Sequence, residues 1–218
     1  MSFDEAGTVR TGDGTHVAWR GAGKGRPIVF VHGITLDGHI WKYQTVALAD
    51  RYRVITVDQR GHGESSTTAG ITTSHELGED LAAVLRGLDL EEAIVVGHSL
   101  GGIAALRCLL DDPEARSRTA GMVLVSTLGT SRVLSNAWLP VLGSLPLPVE
   151  RVEELLLRIG SMMLPQVVRV VMASAHLGRL VTRFFLGAGA PEGAVAGTQQ
   201  AIADTPGRVL RDITGGLA

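Results

Sequence analysis

The residues of this chain best suited to chemistry are Gly97-His98-Ser99-Leu100-Gly101-Gly102. The serine has a glycine two residues to either side. An apolar strand pattern (Ala93 to Val96) precedes it, and a helical pattern of Ile103, Leu106, Leu109 and Leu110 follows. That context fits a tight strand-to-helix turn that exposes a nucleophilic hydroxyl. Gly97 and Gly101 let strand and helix approach closely. The helix opening after Ser99 presents unpaired N–H groups and a positive dipole end, where an oxyanion is stabilised. The competing reading is a glycine-rich turn with an incidental serine; the flanking strand and helix favour the nucleophile. A second segment, His32-Gly33-Ile34, directly follows the apolar run Pro27 to Val31 and taken alone reads as a strand-ending turn. A third, Asp58-Gln59-Arg60-Gly61-His62-Gly63-Glu64-Ser65, follows Tyr52 to Val57. Its glycines make a compact turn, Asp58 and Arg60 can tie the loop together, and His62 reads as a satisfied loop residue.

Strands must position these segments. Thr8 to Arg20 reads as a hairpin turning at Gly12-Asp13-Gly14. Pro27–Val31, Tyr52–Val57, Ala93–Val96 and Gly121–Ser126 are apolar runs without alternation, as suits strands covered on both faces. Between them Leu77, Leu81, Val84, Leu85 and Leu88 recur on one face of a helix. Thr73 and Glu76 form a capping box at its start. The alternation predicts an α/β fold, a mostly parallel sheet flanked by helices. The rhythm changes after Thr130. Two long helical patterns, Val149–Leu164 and Gln166–Leu186, point to a helical insertion over residues 131–198, and Gln199–Leu217 reads as one further helix. The expected organisation is a core over 1–130, a helical cap over 131–198 and a helix returning to the core over 199–218.

Composition narrows the function classes. The 218 residues are 45% hydrophobic with a net charge of −2, which argues against disorder and against the basic patch of a nucleic-acid binder. Aromatics at 4% argue against base-stacking platforms. Cys108 is the only cysteine, so neither an intrachain disulfide nor a cysteine-based zinc site is expected. No apolar stretch reaches the length of a membrane span, which takes about 18 residues. The acidic N-terminal segment lacks signal-peptide features, and the expected location is cytoplasmic. No cofactor or metal is expected.

Together "VFVHG", "VITVDQRGHGES" and "IVVGHSLGG" resemble the α/β-hydrolase superfamily, in particular its cofactor-free serine hydrolases. The resemblance covers about Thr8 to Gly129, and the helical stretch that follows looks like the family's cap. It implies Ser99 as nucleophile, the backbone amides of Ile34 and Leu100 as oxyanion donors, and His32, Gly33, Gly97, His98, Gly101, Asp58 and Arg60 as supports of the site. A serine at the elbow argues against the branches of this fold that carry aspartate there. The implied reaction is hydrolysis of an apolar carboxylic ester or related acyl substrate through an acyl-enzyme on Ser99. Perhydrolase, thioesterase and C–C hydrolase chemistry use the same site.

A serine hydroxyl needs a positioned histidine, and that histidine an orienting carboxylate. In this fold both follow the serine in the chain. Only His176 does so, and it sits inside a helical pattern; it is the sole candidate base, and no acid is identified. The family pattern would still require two strand–helix units, so the chain is expected to be C-terminally truncated. The strand Gly121–Ser126 would then be an exposed sheet edge prone to self-association. A triad-deficient chain with a binding role is the alternative function.

Overall fold

In the computed structural model, residues 3–67, 72–127, 166–168, 170–186 and 189–216 are described. The strands β1 (Glu5–Arg10), β2 (His16–Ala22), β3 (Pro27–Val31), β4 (Arg53–Val57), β5 (Ala93–His98) and β6 (Thr119–Val125) form one sheet. Its order is β1-β2-β4-β3-β5-β6. The first three strands in that order pair antiparallel, and β4, β3, β5 and β6 run parallel. The hairpin is longer than expected: β1 begins at Glu5 and β2 runs to Ala22.

The unbroken apolar runs divide between two cores. Val29 and Val31 of β3, Ile55 and Val57 of β4 and Val95 of β5 pack with Leu81, Val84 and Leu85 of helix α2 (Ser74–Gly87) and Ala105 and Cys108 of α3 (Leu100–Asp111). Their neighbours Ile28, Phe30, Val54 and Val96 point to the other face and pack with Trp41, just before α1 (Lys42–Leu48). Alternate residues therefore serve opposite faces, and each fully buried aliphatic side chain contributes about 1.5–3 kcal/mol. The capping box of α2 is formed, with the Thr73 amide donating to Glu76 Oε2 at 2.8 Å. Asp112 ends α3 and also caps α4 (Pro113–Ser117), accepting from the Ala115 amide at 2.9 Å.

The C-terminal part departs from the expected pattern in three places. The helical stretch from Gln166 is interrupted at Ser174, whose Oγ accepts from the Leu177 amide at 3.2 Å and starts α5 (Ala175–Leu186). The expected single helix over Gln199–Leu217 is two, α6 (Glu192–Asp204) and α7 (Gly207–Gly216). Pro206 lacks an amide donor and forces the preceding residue out of the helical region; Thr205 has φ −65° and ψ 119°. The cap boundary expected at residue 198 therefore falls inside α6. The expected helix Val149–Leu164, and with it most of the cap, lies outside the described residues. Helix α7 packs on the core: Val209 and Ile213 join Leu77, Leu100 and Ala104, with Ile34 and Ile103 against them.

Candidate active site

Ser99 stands between β5 and α3 with φ 50° and ψ −115°. For a non-glycine residue this conformation costs about 1–3 kcal/mol and persists only where surrounding structure holds it. Here main-chain bonds hold it. The Ser99 amide donates to the Val125 carbonyl at 3.0 Å, and its own carbonyl accepts from the Gly102 amide at 2.9 Å and from Thr127 Oγ1 at 2.6 Å. The glycines are a steric requirement. A Cβ on Gly97 would lie 2.4 Å from the Gly101 carbonyl oxygen, and one on Gly101 would lie 2.3 Å from that of Val31. Gly102 and Thr127 escape the sequence reading; a Cβ at Gly102 would lie 2.5 Å from the Thr127 side chain. The third glycine of the motif was the only available sign of that contact.

The loop after β3 faces this turn and is fixed by two buried histidines. The Gln59 amide donates to His32 Nε2 at 2.9 Å, so the ring proton sits on Nδ1, which donates to the Gly33 carbonyl at 2.7 Å. His62 repeats the pattern, accepting from the Thr35 amide at 3.1 Å and donating from Nδ1 to the Arg60 carbonyl at 3.0 Å. Burial pushes His32 down to about 4 and His62 to about 3. Both rings are neutral and fully engaged, which leaves neither free as a base for Ser99. His62 is therefore the strut that docks Thr35, itself at φ 65°, beside the turn.

The third segment braces the second. Asp58 is buried and accepts from the Gly38 amide at 2.7 Å, the Glu64 amide at 3.0 Å and Arg20 Nη1 at 3.0 Å. Burial alone would raise its carboxyl; these donors outweigh it and hold the group below the usual carboxylate range. Arg60 grips Asp80 with two bonds of 2.6 Å and Asp13 with one of 2.9 Å. Asp58 and Arg60 thus tie this loop to β2, to Gly38, to Asp13 and to α2.

The structure brings Ser99, Leu100, Gly33 and His98 together. A Cβ on Gly33 would lie 2.8 Å from His98 Nδ1 and 3.2 Å from Ser99 Cβ. His98 therefore turns toward the loop that carries Gly33. The main-chain N–H groups of Ile34 and Leu100 donate to nothing among the described residues. The first follows a strand end and the second opens α3, so both remain available to a developing negative charge. No hydrogen bond to Ser99 Oγ occurs among the described residues. His176 is exposed on α5, within a helix and away from any strand end. His16, His39 and His75 are exposed as well. Among the described residues no group of three or more metal-binding side chains occurs. A cleft of about 950 Å³ lies beside the site, between Leu36, Ile40 and Tyr43 on one wall and Ala194, Ala201 and Val209 on the other; Ser99 does not line it.

Comparison with known proteins identifies the fold family. The chain is 37% identical over 119 residues to a non-heme chloroperoxidase of Kitasatospora aureofaciens, a match covering 54% of this chain and 42% of that protein. It is 39% identical over 99 residues to 3-oxoadipate enol-lactonase 1 of Acinetobacter baylyi, covering 45% and 37%. The chain thus spans less than half the length of these curated relatives. Among solved structures, an esterase from Exiguobacterium antarcticum superposes with a TM-score of 0.73 at 21% identity, over 96% of this chain and 72% of that one. An esterase from a Rhodococcus species does so with a TM-score of 0.68 at 25% identity, over 94% and 70%. The family model described as the alpha/beta hydrolase fold matches residues 26–154, more than half of the chain, and the protein belongs to that family.

Proposed function

We propose that this chain carries the nucleophile and oxyanion half of a serine hydrolase acting on carboxylic esters or related acyl compounds. One observation carries the reading: Ser99 is held at φ 50° next to Leu100 and against the loop that carries Ile34, and the main-chain N–H groups of those two residues have no partner among the described residues. In the proposed reaction Ser99 Oγ attacks the acyl carbon and the alcohol leaves. The Ile34 and Leu100 amides stabilise the tetrahedral oxyanion, each by roughly 3 kcal/mol. Water then releases the acid. The relatives' names, esterase and enol-lactonase, support an ester or lactone bond as the target. Leu36, Ile40 and Val209 stand among polar side chains in the neighbouring cleft, which supports a substrate with an apolar part. The buried, unpaired Cys108 supports a reducing, cytoplasmic setting.

Likeness to the chloroperoxidase favours a second reading, in which peroxide instead of water attacks the same acyl-enzyme and a peracid leaves. Thioesterase and C–C hydrolase chemistry would draw on the same nucleophile.

The test is reaction with a fluorophosphonate probe, together with turnover of short p-nitrophenyl esters with water or hydrogen peroxide as acceptor. Labelling and turnover that vanish in Ser99→Ala would show that the chain supplies its own base and would overturn the expected truncation. A comparison of His176→Ala with the unmodified chain identifies whether that residue is the base. Failure of Ser99 to label at all would replace the enzymatic reading with that of a triad-deficient binding module.

A further inference from the structure

We propose that His98 is a positioning residue whose imidazole is the spacer between the loop carrying Ile34 and the turn carrying Ser99. The consequence for chemistry rests on the serine-hydrolase reading above; the spacing itself does not.

The ring occupies the volume that any side chain at position 33 would need. A Cβ built on Gly33 would lie 2.8 Å from His98 Nδ1 and 3.1 Å from His98 Cε1. The ring also has backing. Trp41 meets it edge to face, with centroids 6.5 Å apart and planes at 80°, and Trp41 in turn lies 4.8 Å from the Phe30 ring. Trp41 and Phe30 are both buried in the second core. The imidazole is therefore held between a glycine backbone in front and an aromatic pair behind.

His98 differs from the other two histidines of the site in how it is held. Both ring nitrogens of His32 and His62 are engaged with main-chain groups. His98 Nδ1 is buried and has no hydrogen-bond partner among the described residues. Burial also lowers its affinity for a proton, so the ring is a neutral wedge whose contribution is shape.

Two connections turn that shape into an effect on the site. Ile34 is the residue after Gly33, and Leu100 is the residue after Ser99. A ring that sets the Gly33-to-Ser99 separation thus sets the spacing of the two oxyanion donors. Such donors are sensitive to small errors, since a displacement of about 1 Å costs on the order of 100-fold in rate.

The experiment is a double-mutant cycle of Gly33→Ala and His98→Ala in the full chain, with His98→Phe as a control that keeps a flat ring. Two readouts are taken: the amide NMR shifts of Ile34 and Leu100, and the Ser99-dependent rate of fluorophosphonate labelling. Thermal melting identifies variants that do not fold. His98→Ala is expected to move both amide resonances and slow labelling about tenfold, while His98→Phe retains the rate within about threefold. Gly33→Ala is expected to slow labelling about 100-fold alone but only about threefold in the His98→Ala background. The residual cost comes from Ser99 Cβ, 3.2 Å from the new methyl. Equal cost of Gly33→Ala in both backgrounds would overturn the proposal, as would unmoved resonances in His98→Ala. Loss of labelling in His98→Phe equal to that in His98→Ala would do the same, by assigning the effect to the ring nitrogens. If Gly33→Ala does not fold, the resonances in His98→Ala alone decide. If the unmodified chain shows no Ser99-dependent labelling, the hydrolase reading fails while the amide shifts still decide the spacer.

Discussion

Strands β5 and β6 lie side by side in parallel register from Ile94↔Gly121 to His98↔Val125, yet their surroundings are opposite. Strand β5 is covered on both faces and ends in the turn at Ser99. Strand β6 is at the edge of the sheet, with Val123, Leu124 and Val125 exposed by 48%, 42% and 37%. The same kind of sequence, apolar and rich in valine, thus gives a rigid platform in one place and an open edge in the next. Preorganisation depends on what lies on each side of a strand, since an isolated apolar run fixes nothing until both of its faces are packed. The site draws its geometry from β3 and β5, two of the four strands with neighbours on both sides.

The glycines test this contrast most severely. Gly101→Ala would drive a methyl to 2.3 Å from the Val31 carbonyl oxygen and 2.6 Å from that of His32. Neither group is a movable side chain, so a loss of about 4 kcal/mol, or of folding altogether, is expected in urea denaturation. Acid comes next. In the folded chain His32 and His62 bind a proton only near pH 4 and pH 3, whereas an unfolded chain binds it near pH 6.5. Below that value the unfolded state holds more protons, so stability falls as the pH drops from about 6.5 toward 4. His32 alone accounts for about 3 kcal/mol of that loss. Denaturation midpoints across this range should show it, and a flat profile would contradict neutral, buried rings. Thr127→Val removes the donor that reaches across from the end of β6 to the Ser99 carbonyl. A cost of about 1 kcal/mol in stability is expected, with a larger proportional loss in Ser99 labelling if that bond holds the strained turn.

The edge should respond least. A Cβ on Gly121 meets nothing within 4 Å, so Gly121→Ala should alter stability by no more than about 0.5 kcal/mol, in the stabilising direction if at all. Leu124→Lys should likewise be tolerated within about 0.5 kcal/mol while lowering any concentration-dependent association seen by sedimentation, because a charge on an open edge opposes strand pairing. A large loss of stability in either variant would mean that β6 is covered after all.

Much of this was readable in one dimension for a local reason. The turn at Ser99 needs glycines at 97 and 101, and the strand ends at Val31 and Val57 are each followed by a loop containing histidine and glycine. Such requirements act between near neighbours and so leave a pattern in the chain. Helix boundaries were harder. The pattern from Gln166 continues through Ser174, but a side-chain bond there restarts the helix. Pro206 was visible, yet the apolar spacing around it masked the break it imposes between α6 and α7. That His62 is a satisfied loop residue was legible, but the tautomers of His32 and His62 were not, because the amides of Gln59 and Thr35 that fix them are 27 residues away in each case.

The order of residues was enough to specify the strands, the capped helix α2 and the glycines that let Ser99 stand where it does, since these follow from backbone sterics and hydrophobic period. Only the folded chain decided which histidines are locked as neutral struts, that His98 lies against Gly33, and that Thr127 closes the turn from the far strand. Those contacts join residues distant in the chain, and they exist only once the buried sheet has brought the ends of β3, β5 and β6 together.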